Sequence, residues 1–109
     1  MENTKINVLG TEYTMKEATE SEDPALTDKD GYCDNSTKVC VIDRMEHTDY
    51  DSIGNMLAYK NSVKRHELIH AFLYESGLDS CSWANNEELV DWLAIQWHKI
   101  NTAFEQIGI

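Results

Sequence analysis

Two histidines four residues apart, His66 and His70, flank Glu67 in the run His66-Glu67-Leu68-Ile69-His70. This run constrains the fold more than any other feature. Residues four apart in a helix lie one turn apart on the same face, so both imidazoles can be presented to a single tetrahedral metal. Glu67 then lies beside them, placed to take a proton from a water activated by the metal. The spacing therefore predicts a helix through this segment. Met56, Tyr59, Val63, His66, His70 and Leu73 form one stripe on its wheel, which is expected to face inward. Two histidines on an inward stripe need partners, because buried polar groups are paired.

A catalytic type of metal site takes three protein ligands and keeps a position open. Downstream candidates lie in Asn85-Asn86-Glu87-Glu88-Leu89-Val90-Asp91. Glu87 and Glu88 compete for the third place. Asn85 and Glu88 have capping-box spacing, which would give Glu88 a local role. Glu87 also lies nearer the edge of the apolar stripe, and Glu88 almost opposite its centre. Asp91, one turn after Glu87, falls on the same flank and is suited to hold a ligand histidine by its second ring nitrogen. His47 and His98 are weaker candidates. His98 is three turns beyond Glu87, too far along a helix to share its metal.

The rest of the chain reads as β elements followed by two long helices, an α+β domain. Lys5 to Met15 reads as a hairpin around Gly10-Thr11, and Glu17 to Asp30 as an acidic exposed loop. Gly31 to Cys33 and Lys38 to Asp43 read as two strands flanking a turn. One helix is predicted from about Asn55 to Ser76, capped by Asp51 or Ser52 and stopped by Gly77. A second is predicted from about Asn86 to Gln106, with Leu89, Val90, Leu93, Trp97, Ile100 and Phe104 as its apolar stripe.

The 109 residues suit a single domain spanning 1–109. The composition is 41% hydrophobic and 27% charged, as in a soluble globular protein. With 20 acidic against 9 basic residues, the formal charge is −11. That surface repels nucleic-acid phosphates and anionic lipids, so neither nucleic acid nor membrane is an expected partner. The start of the chain lacks a signal peptide, and a cytoplasmic location is expected. Cys33, Cys40 and Cys81 form no CxxC pair. Cys33 and Cys40 can face each other across a hairpin, and as free thiols in a reducing cytosol.

The run His66 to His70 followed by Asn86-Glu87-x-x-x-Asp91 resembles the gluzincin metallopeptidases, the thermolysin-like zincins, over about Val63 to Trp92. The resemblance implies Zn2+ on His66, His70 and Glu87, Glu67 as general base, and Asp91 behind the ligands. It implies a minimal zincin-like domain with a short antiparallel sheet and two long helices carrying the metal site. The whole chain also resembles short zincin-like proteins of phages and mobile elements of Gram-positive bacteria. The runs Asp30 to Asp34, Arg65 to Leu78 and Trp83 to Gln96 carry that likeness. The implied function is a zinc metallopeptidase acting on a peptide or protein. Alternatives are an inactive zincin-fold binding protein, or an acidic inhibitor of a DNA-binding protein.

Larger gluzincins continue into a further subdomain, whereas this sequence stops at Ile109. Their oxyanion-holding residue has no clear counterpart, Tyr74, Tyr50 and His47 being possible stand-ins. Zincins also place an antiparallel edge strand above the metal. Lys38 to Asp43 suits either that position or an interior one.

Overall fold

The computed structural model describes residues 3–46, 50, 53–80 and 83–109. It holds four strands and two long helices: β1 (Thr4–Val8), β2 (Thr11–Ala18), β3 (Gly31–Asp34), β4 (Val39–Asp43), α1 (Met56–Glu75) and α2 (Glu87–Gln106). The α+β expectation holds, and both helices fall within a residue or two of their predicted ends.

The sheet is mixed rather than antiparallel. Its strand order is β1-β2-β4-β3, with β2 and β4 parallel. The reason lies in the connection. A two-residue turn at Leu9 and Gly10, both at positive φ, joins β1 to β2 as an ordinary hairpin. Residues 19–30 then cross to the far side before β3 begins. The hairpin β3–β4 folds back and drops β4 into the gap beside β2, where it must run parallel. Lys38 to Asp43 is thus an interior strand, and β3 is an edge.

Strand alternation sorts side chains between two cores. Tyr13, Met15, Cys40 and Ile42 face α1 with Val8 and Ala71. Ala18 and Val41 face the other way, where Leu26 from a short 3-10 turn (Pro24–Leu26) covers them. Glu17 crosses to α1 and meets Lys60 and Lys64 at 3.2 and 3.3 Å. At Gly31, β3 passes close to α1. A Cβ there would lie 2.9 Å from the Val41 carbonyl oxygen and 3.3 Å from Val63 Cγ1.

Both helix starts differ from the sequence expectation. Asn55 caps α1, its Oδ1 accepting from Ala58 N at 3.1 Å. Asp51 and Ser52 lie outside the described residues. Asn86, not Asn85, caps α2 and accepts from Leu89 N at 3.0 Å. Glu88 is therefore one position short of a capping box, and the Asn85 side chain instead donates to the Asp79 carbonyl. Helix α2 packs on α1 through Val90 and Ala94. Leu89, Trp97 and Phe104 of the expected stripe remain more than two-fifths exposed. No described helix is long and apolar enough to cross a membrane.

Candidate metal centre

The most buried positions of α1 are Glu67 and Ala71. These two, rather than the histidines, mark the centre of its inward face. His66 and His70 stand half-buried on the flank that meets α2. This offset suits a ligand pair, because the rings reach the second helix without being sealed under the sheet.

The N-terminus of α2 delivers the third group. Glu87 occupies its first helical position, where Asn86 fixes the backbone and the helix start favours negative charge. Its Oε2 lies 3.1 Å from His66 Nε2 and its Oε1 2.8 Å from His70 Nε2. The two Nε2 atoms are 3.2 Å apart. The carboxylate thus faces both rings, one oxygen toward each imidazole. His66, His70 and Glu87 form a group that can hold a metal ion. Glu88 lies instead along an outer groove with Trp83 and Trp92.

Each histidine has a carboxylate behind it. Asp91 Oδ1 is 2.6 Å from His66 Nδ1. A proton donated there leaves the Nε2 lone pair facing Glu87. Behind His70, Asp79 Oδ1 lies 4.0 Å from Nδ1. Asp79 was not legible as a site residue, since it lies in the interhelical loop with no motif of its own.

Glu67 is only 8% exposed and lines the same cleft, a space of about 440 Å³ bounded by β3, α1 and α2. Burial pushes its carboxyl up to about 7. The nearby His66 and Lys29 pull it down, while Glu87 and Asp91 push it further up. A carboxyl poised near neutrality is suited to accepting and returning a proton.

The opposite wall carries Lys29, Asp30 and Gly31. The sequence assigned Lys29 and Asp30 to a plain loop. The available signal was that Lys29 is the single base within the acidic stretch Glu17 to Asp30. Asp30 accepts from Tyr50 Oη at 2.5 Å and also from Tyr59 Oη. Burial, then the Asp30 contact, raises the Tyr59 phenol to about 12, so it remains a donor. Tyr59, expected on the inward stripe of α1, also lines the cleft.

The three residues considered for oxyanion binding are elsewhere or undescribed. The Tyr74 ring lies under Lys38, with Nζ 4.7 Å from its centroid. Tyr50 is committed to Asp30, and His47 lies outside the described residues, as does Cys81. His98 Nε2 is 3.4 Å from Arg65 Nη1, on a different part of the α1–α2 contact. Compared with known protein families, curated proteins and solved structures, the chain has no match.

Proposed function

We propose that the protein is a zinc-dependent metallopeptidase of the gluzincin type, built on a minimal zincin-like domain and acting on a peptide or protein substrate. One observation carries this reading. His66, His70 and Glu87 converge at ion-binding spacing, and a buried glutamate follows the first histidine on the same helix.

Zinc held by these three side chains would polarise a peptide carbonyl and acidify water. The chain's own residues supply the remainder. Asp91 fixes the ring of His66, and Asp79 stands behind that of His70. Glu67, its carboxyl raised by burial, takes the proton of the attacking water and passes it to the leaving amine. Lys29 brings positive charge to a wall otherwise facing three carboxylates. Strand β3, an edge of the sheet among the described residues, borders the cleft, so an extended peptide can add there as a further strand.

Glu67→Gln removes the proton acceptor while leaving the three ligands in place. Zinc content should stay near one ion per chain, as a single tetrahedral site requires, while peptide hydrolysis disappears. Hydrolysis that survives this change at full rate would rule the mechanism out.

A second reading is a zincin-fold binding protein in which the ion is structural. Trp83 and Trp92, 80% and 53% exposed beside the start of α2, favour it, since such aromatic surface is typical of contact sites. It predicts zinc binding and partner capture with no turnover on any peptide.

A further inference from the structure

We propose that Cys33 and Cys40 are a thiol-exchange site: they close to a reversible disulfide on reaction with a low-molecular-weight disulfide. The two residues are direct partners in the β3–β4 register. Directly opposed residues in antiparallel strands have Cα atoms about 4.5 or 5.5 Å apart, and both values fall within the disulfide range. The sulfurs are already 3.5 Å apart. Closure therefore needs rotation of the side chains and no rearrangement of the strands.

Access to the two thiols is unequal. Cys40 is fully buried, whereas Cys33 is only partly buried on the edge strand. Cys33 is thus the point of entry and Cys40 the resolving thiol. Close contact with the Cys40 thiol, followed by burial, holds the Cys33 thiol above its usual range. The minority thiolate reacts slowly, but the second thiol is in place when it does.

The steps balance. The Cys33 thiolate attacks one sulfur of oxidised glutathione, forming a mixed disulfide and expelling one glutathione thiolate, which takes up the proton Cys33 lost. Cys40 then gives up its proton and attacks the Cys33 sulfur, and the second glutathione leaves with that proton. The protein loses two S–H bonds and gains one S–S bond. One external disulfide becomes two thiols.

The position gives this chemistry a consequence. The Cys40 S–H has two acceptors in reach, Cys33 Sγ at 3.5 Å and the Glu67 carbonyl oxygen at 3.9 Å. Oxidation removes that hydrogen and fastens the edge strand bordering the metal cleft to its neighbour. The inference stands on the strand register and is independent of whether the cleft hydrolyses peptides.

The test uses the full chain with Cys81→Ser, which removes the third thiol, in the presence of a metal chelator. Reduced protein is incubated with oxidised glutathione, denatured, treated with a maleimide and weighed intact. The expected product is a monomer lacking two hydrogens, with no reactive thiol, restored by reductant. Adding Cys40→Ala should stop the reaction at one glutathione on Cys33, and adding Cys33→Ala should leave the buried Cys40 unmodified. A stable glutathione adduct on the Cys81→Ser protein overturns the proposal. So does a disulfide-linked dimer, or two thiols persisting after prolonged exposure. Glutathione on Cys40 in the folded Cys33→Ala protein would overturn the assigned order.

Discussion

Asp91 Oδ1 lies 2.6 Å from His66 Nδ1, on the side of the ring opposite Glu87. The contact sets the tautomer and the tilt of the ring, so that Nε2 faces Glu87. Asp91→Asn keeps a similar shape but withdraws the charge. Zinc affinity should fall by about tenfold or more, as for other carboxylates behind a ligand histidine. The Asp91 side chain is 61% exposed, so stability of the metal-free protein should hardly change. Competition against a chromogenic chelator measures the first effect and thermal melting in excess chelator the second. Unchanged affinity would mean that His66 is oriented by α1 alone.

Glu87 and Glu88 are adjacent in sequence but opposite in placement. Glu87 contacts both histidines, whereas Glu88 borders an outer groove. Glu87→Ala should therefore abolish stoichiometric zinc, because two imidazoles hold the ion far more weakly than three ligands. Glu88→Ala should retain it. Metal analysis of the two purified variants after identical dialysis decides the matter. Zinc lost from Glu88→Ala alone would reverse the assignment of the third ligand.

The periodic parts of the chain were legible for physical reasons. The helix ends follow from Gly77 and from the apolar spacing. The histidine pair calls for a third group, and Glu87 is favoured over Glu88 by its place at the stripe edge. The Asn85–Glu88 capping box that also favoured it does not form. What was illegible depends on long-range placement. Nothing local in Val39–Asp43 distinguishes an edge from an interior strand, because a crossing connection decides which neighbours it acquires. The same crossing carries Lys29 and Asp30 to the cleft wall. Asn85 and Asn86 have the same intrinsic capping power, and the loop geometry that ties Asn85 to Asp79 selected between them. The helical wheel identified the correct half of α1 but not its centre, since His66 and His70 yield the most buried position to Glu67 and Ala71.

Gly31 sets the distance between the edge strand and α1. A methyl group there would meet the Val41 carbonyl oxygen at 2.9 Å, Ile42 Cδ1 at 3.1 Å and Val63 Cγ1 at 3.3 Å. Ile42 can rotate, but the Val41 carbonyl belongs to the central strand and cannot yield. Gly31→Ala should cost about 1–3 kcal/mol, the usual range for overpacking. It should also push β3 away from α1 and widen the cleft beside His66. Urea denaturation gives the energy, and the chelator competition detects any disturbance of the metal group. A variant as stable as the parent would mean that the strand is free to move outward.

Glu75 anchors the last turn of α1 to the sheet. It accepts from Tyr13 Oη at 2.7 Å and Thr11 Oγ1 at 2.9 Å, and it pairs with Lys38 Nζ at 2.9 Å. The Tyr13 hydrogen bond, followed by the Lys38 contact, holds its carboxyl below the ordinary value of 4.5, against a smaller effect of burial. For Glu17, burial acts upward and is outweighed by Lys60 and Lys64, so its carboxyl is lowered too. A carboxyl that binds its proton less readily when folded stabilises the fold fully above its unfolded pKa. That stabilisation is lost as pH falls through the lower folded value. Acid unfolding should therefore set in below about pH 4.5, the unfolded reference for both groups. Glu75→Gln removes its share of the titrating stability. The melting temperature should be lower than the parent's at neutral pH, and the two curves should converge as pH falls below this point. Melting curves of both proteins across the acid range provide the check. Parallel curves would show that Glu75 contributes no proton linkage, and that the loss at neutral pH is one of packing alone.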